Sequence, residues 1–300
     1  MFLVKNFNRK VATYFRLLIM TSKLNVSYRS SEEMIRSSNF YSGLKLLPSN
    51  KRKALSVVYA FMRHCDDISD NSGPILEKER QFDITKKWLE QDIQGEQIEH
   101  SIIPSLRDTV QNYGIPIEYF FQVIIGTKMD LTKLRYQTFE ELTNYCYHVA
   151  STVGLICIHI FGFREPKAKR HAIACGMAFQ LTNILRDISE DMERNRVYIP
   201  IEDLRRFDYT IEDLNNKIVD HRFKALMAFQ VERARKYFLE AQSLIRLIEH
   251  NSRPAFWSML ESYNTLLKYI EDREYDVLNN RIELRTRDKF RIVLHSLLHW

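Results

Sequence analysis

Three observations predict an all-α fold for this chain. Apolar residues recur at three- and four-residue spacings through most of the 300 residues, and regular two-residue alternation is scarce. Glycine and proline number only eight and seven, too few for a loop-rich or strand-and-turn architecture. No period of 20–50 residues and no low-complexity tract is present, and no Pro/Gly/Ser-rich linker divides the chain, so one domain is expected. A net charge of +6 suits polyanionic ligands, whether diphosphates, anionic lipid or nucleic acid, without choosing among them. Neither zinc-finger spacing nor a basic–aromatic motif is found, so nucleic acid is not an expected partner.

Taken in order, residues 1–31 contain no Asp or Glu, while Lys5, Arg9, Lys10, Arg16, Lys23 and Arg29 alternate with apolar side chains. The apolar run is too short for a signal peptide or a membrane span. Residues 1–27 are read as a basic extension, either unstructured or a surface helix able to touch a membrane, ahead of a domain over 28–300. Helical patterning starts at Ser31, with Ser31-Glu32-Glu33 as a cap. Helices are expected over 51–70 and 77–93, the second turning Phe82, Trp88 and Leu89 inward. Gln94 to Pro104 reads as a loop, and 105–113 as a short helix stopped at Gly114-Ile115-Pro116. Further helices are expected over 117–134, 138–162, 220–249, 254–273 and 282–298. Residues 201–214 read as a loop with one helical turn. Cys65, Cys146, Cys157 and Cys175 form no C-x-x-C pair and sit in apolar surroundings, which suits reduced, packed thiols in a cytoplasmic protein.

Two stretches carry the chemistry. In Cys175–Pro200 nothing before the final proline and after Gly176 breaks a helix. At about 100° per residue, Gln180, Asn183, Asp187 and Asp191 fall on one narrow arc, with Glu190 and Arg194 at its edges. Met177, Leu181, Ile184, Leu185, Ile188 and Met192 fill the neighbouring arc. Asp187 and Asp191 thus stack one turn apart. Upstream, Leu55, Tyr59, Met62, Arg63, Asp66 and Asp70 share one face of helix 51–70, while Asp67 points about a quarter turn away. A lone Asp-x-x-x-Asp is ordinarily a solvated helix face. Here the acids and amides border a wide apolar face, and the spacing occurs twice.

Set antiparallel across a cavity, the two pairs would hold hard divalent ions that stay partly hydrated and open to phosphate oxygens. Arg63, Arg186 and Arg196 are near enough in sequence to complete a diphosphate clamp. A carbocation formed beside the apolar surfaces would be kept from water, with Phe40 and Tyr41 as aromatic faces to stabilise it. The small residues Ala150, Ser151 and Gly154 let a neighbouring helix or an apolar ligand approach; packing alone also explains them.

YAFMRHCDDISD (59–70) and QLTNILRDISEDMERNRVYIP (180–200) resemble the two signature motifs of the squalene/phytoene synthase family. Ser37-x-x-Phe40, Tyr145-x-x-x-Val149-Ala150-x-Thr152-Val153-Gly154, Tyr263 and Arg281 fall where that family has further site residues, and the similarity runs from about residue 28 to 290. The resemblance implies an all-α isoprenoid synthase fold and Mg²⁺-dependent (or Mn²⁺-dependent) head-to-head, 1′–1, coupling of two prenyl diphosphates. By the same resemblance Asp66, Asp70, Asp187 and Asp191 bind the metal–diphosphate, and Ser37, Arg63, Gln180, Asn183, Arg186 and Arg281 position substrate. The resemblance also puts Tyr145 where the family has a tyrosine near the reacting carbons, a candidate for proton handling or cation stabilisation. Asn195 replaces the usual glycine before the R-V-Y-x-P arginine, a tolerable change because Asn accepts the left-handed conformation. Asn39 stands where a serine is common.

The segments Met129–Tyr136 and His159–Phe163 look more like members that join two farnesyl diphosphates to presqualene diphosphate or squalene. Two geranylgeranyl diphosphates giving phytoene is the alternative. A non-catalytic relative acting in assembly would be marked by lost aspartates, and all four are present. No G-x-G-x-x-G follows a strand, so no motif supports NADPH. The expectation is a cytoplasmic enzyme with peripheral membrane contact in reach and no oligomeric state assigned.

Overall fold

The structure is a computed structural model that describes residues 41–93 and 102–299. The expected cap at Ser31, the boundary at residue 28, and Ser37 and Phe40 lie outside the described residues, as does the side chain of Tyr41. Among the described residues every regular element is helical, and two isolated β-bridges, Arg135 with Val197 and Phe163 with Ile248, tie loops together.

Eleven helices organise the molecule: α1 (Ser49–Asp70), α2 (Ile75–Ile93), α3 (Ile103–Tyr113), α4 (Glu118–Met129), α5 (Phe139–Cys146), α6 (Thr152–Phe161), α7 (Ala168–Arg186), α8 (Ile188–Glu193), α9 (His221–Gln242), α10 (Arg253–Asp272) and α11 (Thr286–His299). Among the described residues, short helical turns at Tyr41–Leu44, Ile201–Arg206 and Ile211–Asn215, 3-10 turns at Ser243–Arg246 and His250–Ser252, and a π-helical turn described below are the remaining elements. Their boundaries follow local chemistry. Thr138 accepts from the Glu141 amide to start α5, and Asp220 accepts from the Arg222 and Phe223 amides to start α9. Gly114, at φ 56°, takes the left-handed conformation that ends α3.

Several expectations are corrected: the helix expected over 220–249 ends at Gln242, and the stretch 201–214, expected to hold one helical turn, carries two. The helix expected over 117–134 stops at Met129, where Asp130 and Leu131 turn the chain. The helix expected over 138–162 is split by a π-helical turn, Tyr147–Ser151. There the Thr152 hydroxyl donates to the Tyr147 carbonyl five residues back, at 2.9 Å, occupying an oxygen that an α-helical ladder would use. The stretch 175–200 is two helices that break at Asp187 (φ −103°, ψ 16°), whose carboxylate turns back to its neighbour Arg186. Asn195 adopts φ 57°, the left-handed geometry expected of it, and its side chain is held by Arg135 at 2.7 Å.

α7 is the axis of the fold. It packs on α9, α6, α10 and the π turn, and it does so at close range. A Cβ on Gly176 would lie 2.4 Å from the Ala150 carbonyl oxygen, and one on Gly154 would lie 2.5 Å from that of Ala172. Only glycine lets these backbones meet. α1 packs against α3, α4 and α6 through Leu55, Val58, Phe61 and Cys65. Near its start the buried Lys51 ammonium donates to the Phe161 carbonyl (2.8 Å), Glu249 (2.7 Å), Asn251 (2.9 Å) and Ser252 (3.0 Å), so its burial is fully compensated. Phe82 and Leu89 of α2 are buried as expected, with Trp88 half-buried beside them. All four cysteines are free thiols.

Candidate active site

The helices enclose a cavity of about 690 Å³. α1 presents Leu55, Tyr59, Met62, Arg63, Asp66 and Asp70 to it, the six residues that share one face in the sequence. Across the cavity α7 and α8 present Gln180, Asn183, Ile184, Arg186, Asp187 and Asp191. Asp67 is not among the lining residues; it pairs with Arg63 at 2.9 Å, one helical turn away. The break at Asp187 leaves the Asp191 amide bonded to the Asp187 carbonyl at 2.9 Å, so the two acids keep their one-turn stacking.

The two acidic helices are stitched together by arginines from the loop after α8. Arg194 reaches Asp70 at 3.2 Å, and Arg196 contacts Asp70 and the Ser69 hydroxyl, each at 3.3 Å. Arg186 lies on Asp187 at 2.6 Å. Arg281 sits at the rim, joined to Glu190 at 3.2 Å and Glu283 at 3.1 Å. Six acids (Asp66, Asp70, Asp130, Asp187, Asp191, Glu283) and six bases (Arg63, Arg186, Arg194, Arg196, Arg281, Lys289) line the cavity, so their formal charges cancel. A diphosphate entering alone would carry in net negative charge, which accompanying cations would offset.

The acids already repel one another. The concave walls around Asp66, followed by the Asp70 carboxylate, push its pKa up to about 7, although its side chain still meets water at the cavity mouth. Burial, then Asp187, does the same to Asp191, also to about 7. Closely spaced carboxylates with raised pKa and oxygen-only donors suit a hard divalent cation. Among the described residues no three acidic, His or Cys side chains stand grouped to enclose an ion unaided.

Deeper in, the polar ring gives way to Val58, Val149, Ala150, Val153, Gly154, Phe161, Phe179 and Phe256. Tyr263 stacks on Phe179 with ring centroids 4.1 Å apart, and burial lifts its pKa to about 12 while it hydrogen-bonds the Asn183 side chain. Between the two zones lies a feature that reading the sequence missed. Asp130 accepts hydrogen bonds from the Tyr145 hydroxyl at 3.0 Å and the Tyr198 hydroxyl at 2.8 Å. The two rings stack at 5.2 Å, with Tyr136 packed on both. Burial raises the Asp130 pKa, opposed by Arg196 and by the two tyrosine donors. The available signal was an acid closing the apolar run of α4; Tyr198 was visible only as a letter of R-V-Y-x-P. Apart from Thr152 of the 145–154 motif, which is buried with its hydroxyl on the Tyr147 carbonyl, every expected site residue with a described side chain lines this one cavity.

Opposed aspartate pairs above an apolar chamber, inside an all-α shell, define an isoprenoid-synthase type of prenyltransferase. Comparison with known proteins agrees. The sequence model for squalene/phytoene synthase matches residues 36–288, and the chain belongs to that family, whose reaction class is the head-to-head condensation of prenyl diphosphates. It is 38% identical over 262 residues to a 15-cis-phytoene synthase of Synechocystis sp., covering 83% of this chain and 77% of that one. It is 39% identical over 265 residues to a phytoene synthase of Arthrospira platensis, covering 83% and 85%. Among solved structures, a dehydrosqualene synthase in complex with ligand superposes with a TM-score of 0.84 at 25% identity, over 91% of this chain and 96% of that one. A squalene synthase from Alicyclobacillus acidocaldarius gives 0.75, also at 25% identity, over 84% and 97%.

Proposed function

We propose that the protein joins two geranylgeranyl diphosphates head to head, giving a phytoene-type C40 product. This is the alternative of the sequence reading, in place of the farnesyl substrate expected from segments 129–136 and 159–163. The observation that carries the choice is the 38–39% identity to proteins named phytoene synthases, against 25% to the squalene and dehydrosqualene synthases.

Asp66, Asp70, Asp187 and Asp191 would hold the divalent ions, Mg²⁺ in the first place, together with the diphosphates. Bound there, the ions supply the positive charge that makes diphosphate a good leaving group. Arg63, Arg186 and Arg196 add donors to phosphate oxygens, releasing the carboxylates they now pair with. Gln180 and Asn183, on the same arc as the aspartates, orient the substrates, and Arg281 closes the rim. Val149, Ala150, Gly154 and Phe179 wall the prenyl chains and keep water from the cationic carbons. Tyr145 is held protonated by burial and by its bond to Asp130. Its phenolic oxygen can take a proton from a cationic carbon only while its own proton passes to Asp130, so the pair works as a relay. The stacked tyrosine rings offer π faces to the same charge. No observation on these residues calls for NADPH.

The test gives purified protein an equal mixture of farnesyl and geranylgeranyl diphosphates with Mg²⁺, with and without NADPH, and identifies the hydrocarbons formed. A C40 triene-type product independent of NADPH is expected. Predominant C30 product would restore the farnesyl reading.

A further inference from the structure

Asn195 does more than tolerate the left-handed turn at φ 57°. α8 ends in a Schellman motif: the Arg196 amide donates to the Asp191 carbonyl at 2.8 Å, and the Asn195 amide to that of Met192 at 2.9 Å. Asn195 is the left-handed residue of that motif, a place glycine fills without strain. What glycine cannot supply is a side-chain acceptor. Here the Arg135 guanidinium closes a clasp around the turn. It donates to the Leu134 carbonyl (2.7 Å), to the Asn195 carbonyl and to the Asn195 side-chain oxygen (2.7 Å). The clasp joins two strips of chain. Residues 134–137 run beside 197–202, with the Val197 amide donating to the Leu134 carbonyl, Ile201 to Tyr136 and Glu202 to Gln137, at 2.9 to 3.0 Å. The first strip is itself anchored, because Glu141 of α5 accepts from the Gln137 amide and pairs with Lys133, each at 3.1 Å. Those amide bonds begin at Val197. Just before it, Arg194 and Arg196 lean across the cavity mouth to Asp70, and the Arg135–Asn195 contact holds that end of the loop to the strip.

We propose that Arg135 and Asn195 are positioning residues, whose clasp holds Arg194 and Arg196 over the aspartates before a diphosphate arrives. This rests on the diphosphate reading of the site and adds to it the residues that set the arginines in place. When phosphate oxygens draw Arg196 away from Asp70, its side chain swings while its backbone stays pinned. On one side the Asp191 carbonyl holds the Arg196 amide, and on the other the clasped strip holds Asn195 and Val197. A loop already in place needs no ordering on binding, so its arginines grip phosphate more tightly than a loose loop would. An arginine–phosphate contact made equally in the bound substrate and in the transition state acts on binding rather than on the chemical step. Loss of the clasp therefore raises KM more than it lowers kcat.

The experiment compares the wild-type full chain with Asn195→Gly, Arg135→Lys and the double variant. Asn195→Gly keeps the left-handed turn and deletes only the acceptor; Arg135→Lys keeps the charge and loses the planar fork. Inorganic diphosphate with saturating Mg²⁺ is titrated by isothermal calorimetry, and KM and kcat are measured with whichever prenyl diphosphate turns over. Each single variant is expected to bind diphosphate about three- to tenfold more weakly, with KM raised by a like factor and kcat changed less. The double variant should lose less than the product of the two single losses, because both remove one interaction. Without ligand, Asn195→Gly should melt within about 2 °C of wild type. Unchanged diphosphate affinity in Asn195→Gly overturns the proposal. So does a lower melting temperature with normal affinity, which would leave the clasp a structural brace only. Losses that simply multiply would also overturn it, since the two side chains would then act apart. If wild type itself bound no diphosphate, the reading of the site would fail together with this one; normal binding by every variant would sink the clasp alone.

Discussion

Burial and a neighbouring carboxylate hold the Asp66 and Asp191 carboxyls well above their ordinary range. Each carboxyl has a folded-state pKa near 7, against about 3.9 in an unfolded chain. A carboxylate raised in this way favours the fold fully below the unfolded value, and that contribution is lost as pH climbs through 7. Without metal, the melting temperature should therefore fall between pH 5 and 8 by the share these groups contribute. Mg²⁺ with inorganic diphosphate should raise it more at pH 8 than at pH 6, since at pH 6 the ions must displace protons. Scanning calorimetry at the two pH values measures this, and equal shifts would mean that these acids are not the ligands. Asp66→Asn should lower kcat by at least about 100-fold, as loss of an electrostatic contact made in the transition state does. The same change removes one of the repelling charges, so the metal-free protein should melt no lower than wild type at pH 8; a collapse in stability would mark Asp66 as structural. The four paired aspartates were legible in the sequence because helical period alone decides which residues share a face. Asp130 was not: it stands just past the end of α4, and its partners come from residues 15 and 68 positions away. Only the folded chain brings them together.

Among the elements, the crossing of α7 with α6 and the π turn sets how close the cavity walls come. A methyl group at Gly176 would have to push back a carbonyl oxygen and the Ser151 Cα, backbone atoms that cannot rotate away. Gly176→Ala should cost about 1–3 kcal/mol in urea unfolding, the range for overpacking a tight core. A cost below about 0.5 kcal/mol would show that the helices can separate freely. The small residues at 150–154 had been compatible with either helix packing or ligand approach. Ala150 and Gly154 touch α7 and also line the cavity, so both readings keep a structural basis. The π turn escaped notice because apolar spacing does not distinguish a helix from one with an extra residue in a turn. The Thr152 hydroxyl reaching Tyr147 is a contact visible only in three dimensions. The extra residue in the turn shifts the facing of Val149 and Ala150 relative to Tyr145, within a stretch that lines the cavity. The break at Asp187 was hidden for a similar reason: neither glycine nor proline marks it, and a carboxylate folded back on Arg186 accompanies it.

For the molecule as a whole, the all-α class followed from composition and period, and the family resemblance added the topology that brings residues 66 and 191 to one cavity. Chain length of the substrate was not legible in the same way. The apolar lining includes Leu44, Phe161, Leu244, Phe256 and Met259, residues spread over more than 200 positions. The buried Lys51, joining α1 to the Phe161 carbonyl and to Glu249, Asn251 and Ser252, braces that end of the chamber. Everything proposed for the chemistry requires the acids of α1 and of α7–α8 to act on one set of metal ions. Crystals grown with Mn²⁺ and an unreactive geranylgeranyl thiodiphosphate would test this by anomalous scattering. Manganese peaks between the Asp66/Asp70 and Asp187/Asp191 carboxylates, sharing oxygens with the diphosphate, are predicted. Peaks confined to other surfaces, with the diphosphate bound away from these four residues, would contradict it.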